Sequence, residues 1–191
     1  VVTGAGGAIG EGVAGVLLNA GAAVAILDIN EDLARAACDR LSGPTLPVVA
    51  DVTSTSSMRE AMEAVCRRFG GVDILVPNAG VAHSASIEHH DPDAFRKVID
   101  VNLTGVFVTL QAGIKVMRPQ GMGGSVVIVS SKNVLAPGAE FSAYSASKAG
   151  GHQLGKVAAL EFAADDIVVN MVCPDAVFAC GDNPSGLWQE I

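Results

Sequence analysis

Short, nearly continuous apolar runs alternate along this chain with longer stretches in which apolar residues return every three or four positions. The runs are Val1-Val2, "AAVAIL" (22–27), "PVVA" (47–50), "DILVP" (73–77), "SVVIVS" (125–130) and "IVVNMV" (167–172). Runs of this kind, rich in β-branched residues and without polar alternation, suit strands buried on both faces of a parallel sheet. Between them, Met58, Met62, Val65 and Phe69 fall on one face of a helix expected over 56–69, which Gly70 and Gly71 end. Asn30 is the expected N-cap of a helix over 31–41, with Leu33, Ala37 and Leu41 on a common face. Longer helices are expected over 92–118 and 142–164. Strand–helix alternation joined by right-handed crossovers predicts an α/β fold with a doubly wound parallel sheet, in a single domain spanning 1–191. In such a sheet, ligands sit beyond the carboxyl ends of the strands. Chemistry is therefore expected at 3–10, 28, 51, 78–80, 130–131 and from 173 onward.

Composition narrows the picture. The chain has 191 residues, half of them hydrophobic but only 4% aromatic, so the core must be built from Val, Ala, Leu and Ile. The 22 glycines let helices lie close to a sheet and backbone approach a ligand. A net charge of −8 with no basic run argues against nucleic acid as a partner, and no apolar run approaches the roughly 20 residues of a membrane span. Cys38, Cys66, Cys173 and Cys180 form no C-x-x-C pair and are read as reduced packing residues of a cytoplasmic protein. Only two residues precede the first glycine turn, and "PSGLWQEI" reads as the start of a helix, so the chain is expected to be truncated at both ends.

The first turn, "VVTGAGGAIG", places Gly4, Gly6, Gly7 and Gly10 between a strand and a helix. Glycines there allow a tight turn and close approach of a pyrophosphate to the helix N-terminus. The spacing fits T-G-x-x-x-[G/A]-x-G through Thr3, Gly4, Ala8 and Gly10, with Ile9 where a G-x-G-x-x-G pattern would need glycine. A glycine turn made only for packing remains the alternative. Asp28 ends the second run at the separation where an acid hydrogen-bonds the adenosine ribose. Ile29 and Asn30 follow it, with no cation to take a phosphate on that ribose, which favours NAD over NADP. Asp51, followed by Val52, either reaches the adenine edge or caps the next segment.

Other chemistry-bearing residues carry less. His89 and His90 beside Asp91 lack a third ligand at sensible spacing, so no metal is expected. His83 is a surface-loop residue or a substrate contact, and Trp188 either packs or belongs to a flap over the substrate.

Four signals stand in order: "TGAGGAIG", "NAG" (78–80), "DVNLTG" (100–105) and "YSASK" (144–148). Together they resemble the short-chain dehydrogenase/reductase family, over nearly the whole chain. The resemblance implies a Rossmann fold and oxidation or reduction of an alcohol or carbonyl by a nicotinamide cofactor. It also implies a homo-tetramer or homo-dimer packed through the two long helices. Tyr144 resembles the catalytic tyrosine, Lys148 its partner and Ser131 the catalytic serine, with Ser130 one position off. Asn102 resembles the asparagine that holds a proton-relay water. Gly4, Gly6, Ala8, Ile9, Gly10, Asp28, Ile29, Asp51, Val52, Asn78, Ala79, Gly80 and Pro174, with Tyr144 and Lys148, would line the cofactor. A narrower resemblance rests on "GVAHSASIE", "MRPQGMGGSVVIVSSKN", "AYSASKA" and "VCPDAVF", above all on Pro174-Asp175 where P-G is usual. These phrases are similar to the dehydrogenase domain of bifunctional rhamnulose-1-phosphate aldolase/short-chain dehydrogenases. The usual N-N-A-G reads Pro77-Asn78-Ala79-Gly80, and Ala8 replaces a glycine, which requires that position to avoid positive φ.

The chemistry explains the residue types. A phenol with its ordinary pKa of about 10 is a poor base near neutrality, and a cation nearby should lower it. Tyr144 and Lys148, one turn apart on an expected helix, share a face. Ser131 can stabilise charge on the substrate oxygen. The leading expectation is an NAD-dependent alcohol dehydrogenase for a small or sugar-derived substrate. The alternatives are an NADP-dependent reductase of the same fold and a non-catalytic dinucleotide sensor.

Overall fold

The structure, a computed structural model, describes residues 1–175 and residue 177. Its strands are β1 (Val2–Thr3), β2 (Val24–Asp28), β3 (Thr45–Val49), β4 (Ile74–Leu75), β5 (Gly124–Val129) and β6 (Ile167–Val172). Its helices are α1 (Ala8–Asn19), α2 (Glu31–Arg40), α3 (Thr55–Phe69), α4 (Pro92–Ile99), α5 (Gly105–Gln120) and α6 (Ser142–Phe162). All strand pairs are parallel: β1 with β2, β2 with β3, β4 with β5, and β5 with β6. A bridge between Val2 and Val76 joins the halves, closed by Thr3 N–H to the Val76 carbonyl at 3.1 Å and Val76 N–H to the Val1 carbonyl at 2.8 Å. The strand order is thus β3-β2-β1-β4-β5-β6. Chain order reverses between β1 and β4, where an open α/β sheet forms its ligand crevice.

The apolar runs become strands because both faces are covered. Val2, Ile26, Val24 and Val76 pack with Ala14, Leu18, Ala34 and Ala37 of α1 and α2. Leu27, Leu75, Val126 and Ile128 pack with Met58 and Met62 of α3, Ile114 and Met117 of α5, and Ala158 of α6. Alanine and glycine at the contacts keep these layers close; a Cβ on Gly113 would stand 2.5 Å from Leu75 Cδ2. Helix ends follow local chemistry. The Asn30 side chain accepts from Asp32 and Leu33 N–H, as expected, and Gly70 closes α3 in the left-handed region at φ 90°.

Two expectations are corrected. In α2 the buried face is Ala34 and Ala37, while Leu33 is 45% exposed. Leu33 Cβ lies only 2.6 Å from where a Cβ on Gly6 would stand, so this leucine covers the glycine turn instead of entering the core. The helix expected over 92–118 is two helices joined by a π-helical segment, Asp100–Thr104, with Asn102 wholly buried within it. The extra residue per turn there re-aims side chains that an unbroken 3.6-residue period would place differently.

Candidate active site

The glycine turn is shaped by contact. Gly4 has φ +61°, and a Cβ there would lie 2.7 Å from Ala79 Cα. A Cβ at Gly10 would lie 2.6 Å from the Gly4 carbonyl oxygen, so this glycine lets α1 close onto β1. Ala8 is not among the residues with positive φ, so its methyl costs nothing there. No side chain caps α1, and its first intrahelical bond runs from Glu11 N–H to the Gly7 carbonyl. The N–H groups of Ala8, Ile9 and Gly10 therefore point out of the helix at its positive end, as an anion cradle requires.

Asn78 ties this turn to β4. Its Nδ2 donates to the carbonyls of Thr3 at 2.8 Å and Gly4 at 3.1 Å, while Thr3 Oγ1 accepts from the N–H of Asn78 and Ala79. Asp28 takes the Gly6 N–H on Oδ2 and the Asn30 N–H on Oδ1, each at 3.0 Å. Each carboxylate oxygen keeps a second lone pair, enough for a ribose diol. Ile29 beside it is exposed. The residues expected to hold a dinucleotide thus fit one: three outward N–H groups for phosphate, and a carboxylate beyond β2 for the sugar.

Asp51 and Val52 follow the carboxyl end of β3. Asp51 Oδ1 is engaged by the N–H and hydroxyl of Thr53 at 2.9 and 2.7 Å, and Ser54, not Asp51, caps α3. Val52 turns its side chain into the core against the place where a Cβ on Gly105 would stand, leaving only its main chain for a ligand. Pro174 accepts the Lys132 N–H at 3.0 Å, tying the end of β6 to the segment after β5.

Ser131, Tyr144 and Lys148 converge beyond β5. Ser131 caps a 3-10 turn, its Oγ accepting from Asn133 N–H, and its hydroxyl lies close enough to the Tyr144 phenol to favour the ionised form. Lys148 is buried, donates to the Val129 carbonyl at 2.9 Å, and stands 5.7 Å from the Tyr144 ring centroid. Ser130 is the other kind of serine, with a buried hydroxyl that has no partner among the described residues. A Cβ at Gly80 would lie 3.2 Å from Asn102 Oδ1, so this glycine leaves the amide its space.

The electrostatics correct one expectation. Burial pushes the Tyr144 phenol above its ordinary range, and the nearby Ser131 hydroxyl only partly offsets this. The lysine does not lower it here, because Lys148 is turned to a main-chain carbonyl beneath the ring. Burial lowers Lys148 itself from 10.5 to about 8.

Asn102 is held on every polar atom. Oδ1 accepts from Val81 N–H at 2.8 Å, and Nδ2 donates to the Val81 carbonyl at 2.8 Å and to Ser147 Oγ at 3.1 Å. Ser147 in turn donates to the Tyr144 carbonyl at 2.8 Å. Sequence reasoning missed Ser147, although it lies inside the Y-S-A-S-K signal. It also missed that Lys132, within the phrase "SSKN", and Asp175, the departure from the usual P-G, form an ion pair at 2.6 Å.

Among the described residues, the histidine side chains have other partners. His89 faces Glu88, His90 Nδ1 meets Ser142 Oγ at 3.2 Å, and Asp91 caps α4. His83 stacks obliquely on His90 at 4.9 Å between ring centroids. Cys38, Cys66 and Cys173 are free, while Cys180, Trp188 and the helix expected in "PSGLWQEI" lie outside the described residues. No helix among the described residues is long and apolar enough to cross a membrane.

A family model described as "short chain dehydrogenase" matches residues 1–183. Cis-4-hydroxycyclohexanecarboxylate dehydrogenase of Sinomonas cyclohexanicum is 40% identical over 178 residues, covering 91% of this chain and 71% of the relative. D-beta-hydroxybutyrate dehydrogenase of Rhizobium meliloti is 36% identical over 182 residues, covering 93% and 70%. Among solved structures, 3-ketoacyl-(acyl-carrier-protein) reductase from Brucella melitensis, complexed with NADH, superposes with a TM-score of 0.88 at 31% identity. It covers 91% of this chain and 75% of that one.

Proposed function

The chain belongs to the short-chain dehydrogenase/reductase family, and from that premise we propose that it is an NAD-dependent enzyme with a Ser131–Tyr144–Lys148 site. It is an oxidoreductase acting on hydroxyl or keto groups of small molecules with a nicotinamide dinucleotide. The observation that carries the finer reading is the convergence of the three side chains: a phenol close to the Ser131 hydroxyl and lying over a buried ammonium.

Bound along the glycine turn, the dinucleotide supplies the hydride acceptor in oxidation and the donor in reduction. The protein's part is the proton and the charge. Tyr144 accepts the alcohol proton in oxidation and returns it in reduction. Ser131 donates to the substrate oxygen and stabilises the charge that grows there. Lys148, which does not lower the phenol's pKa, would instead serve as a hydrogen-bond donor to the nicotinamide ribose. Asn102 has no polar side-chain atom to spare, so a relay water toward Lys148 would be held at its main chain. Asp28, with no cation beside it, selects NAD by taking the ribose hydroxyls and repelling a phosphate on that sugar.

The substrate is a small or sugar-derived alcohol or aldehyde. Lys132-Asn133 and Pro174-Asp175 support placing the chain with the dehydrogenase domains of aldolase fusions. Residues 1–191 form one catalytic and dinucleotide-binding domain of a cytoplasmic protein. Exposed Phe107 on α5, with Val157 and Leu160 on α6, supports a homo-tetramer or homo-dimer packed through these helices.

The test follows reduction of NAD or NADP by the full-length protein over small alcohols and sugar alcohols, and oxidation of NADH or NADPH with lactaldehyde as the reverse substrate. Tyr144→Phe should cut turnover by about 10²–10⁴. Equal turnover by that variant would discard the mechanism, and a clear preference for NADP would discard the role of Asp28.

A further inference from the structure

Lys132 follows Ser131 and Asp175 follows Pro174, at the carboxyl ends of neighbouring strands β5 and β6. Their side chains meet at 2.6 Å, and the Lys132 N–H donates to the Pro174 carbonyl at 3.0 Å. The turn that carries Lys132 is held from both sides. Ser131 Oγ accepts the Asn133 N–H at 3.2 Å, and Asn133 Nδ2 donates to Ser145 Oγ at 3.2 Å, next to Tyr144. The turn that carries the ion pair is thus anchored on Ser131 and on the residue next to Tyr144.

Stability does not account for it. The two side chains are 48% and 69% exposed, and an exposed ion pair adds little to stability. Its chemistry is more informative. An ammonium donates and a carboxylate accepts, so the pair is electrically balanced and offers both halves of a hydrogen-bonding partner. A hydroxyl, itself donor and acceptor, satisfies both. A substrate carboxylate or phosphate would face the like charge of Asp175, and an apolar chain would desolvate both charges without replacing their hydrogen bonds.

We propose that Lys132 and Asp175 are specificity-determining residues that bind a second hydroxyl, on the carbon next to the reacting one, of a neutral polyhydroxylated substrate. This rests on the reading that Ser131 and Tyr144 hold the oxygen of the reacting carbon. One side of that carbon then faces the segment carrying Lys132, and selectivity for its substituent lies in the pair.

The experiment uses the full-length protein and three alcohols that share a reacting secondary carbon and differ only in the neighbour: vicinal propanediol, isopropanol and lactate. Wild type should favour the diol over isopropanol by about tenfold or more in kcat/KM, with lactate poorest. Lys132→Met and Asp175→Leu should each lower the diol-to-isopropanol ratio by about tenfold, chiefly through the KM of the diol, as expected when a site built for a hydroxyl loses its partner. A latch that only ties two loops together would depress both alcohols equally. Such parallel losses, a ratio unchanged in both variants, or lactate as the preferred substrate each overturn the proposal. Tyr144→Phe in the same series separates the two readings. If it stays active, the catalytic assignment fails; if it is inactive while the ratios hold, only the hydroxyl-binding role of Lys132 and Asp175 fails.

Discussion

Lys148 lies beneath Tyr144, its ammonium 5.7 Å from the ring centroid and bonded to the Val129 carbonyl at 2.9 Å. The Val129 carbonyl holds this ammonium under the ring, and burial lowers the lysine to about 8.

That arrangement has a cost that depends on pH. A lysine at 10.5 when unfolded and about 8 when folded resists protonation in the native state. Its penalty is absent above 10.5, grows as pH falls through this interval and is complete below about 8, where it reaches about 3 kcal/mol. Wild type should therefore gain about that much stability relative to Lys148→Met between neutral pH and the top of the window. Urea unfolding of both proteins across this range checks it; a constant difference between them rejects a lysine depressed by burial.

Two glycines of one helix should respond oppositely to alanine. Gly12 is exposed with nothing within 4 Å of an added Cβ, so Gly12→Ala should stabilise by about 0.5–1 kcal/mol. Gly10→Ala would set a methyl 2.6 Å from the Gly4 carbonyl oxygen and 2.7 Å from Ala5 Cα. It should cost about 1–3 kcal/mol by overpacking and weaken dinucleotide binding, because α1 must back away from β1. Thermal unfolding and cofactor titration by fluorescence read the two effects.

Asn102→Ala leaves both polar groups of the Val81 main chain without their partner. Each such group costs about 1–3 kcal/mol when it stays unpaired. Turnover should fall as well, since the link through Ser147 to the Tyr144 carbonyl is lost. Denaturant unfolding with parallel kcat measurement tests this; a variant as stable as wild type would show that the bridge carries no load.

Asp28→Ser removes the acid that accepts the Gly6 and Asn30 N–H groups beyond β2. The NAD-to-NADP ratio of kcat/KM should drop by about tenfold or more, through loss of like-charge repulsion and of the ribose contact. An unchanged ratio places cofactor choice elsewhere.

The elements themselves were readable along the chain. "IVVNMV" is β6 over the expected residues, and Asn30 caps the helix expected after it, because strand burial patterns and caps are written in neighbouring residues. The glycine turn and Y-x-x-x-K are local too: a left-handed turn and an i, i+4 pair need only a few consecutive positions. Sequence alone thus determined the α/β class, the cradle and the identity of the catalytic candidates.

Tertiary structure decided what depends on distant neighbours. The Val2–Val76 bridge places β1 beside β4 and so locates the crevice. The break in the long helix sits where Asn102 must reach Val81, a contact no periodicity announces. Ser131 rather than Ser130 meets the phenol because β5 ends there and the chain turns. The lysine's lowered pKa and the phenol's raised one follow from burial, which is set by everything packed around them. Lys132 and Asp175, far apart in the chain, become a pair only because β5 and β6 run side by side.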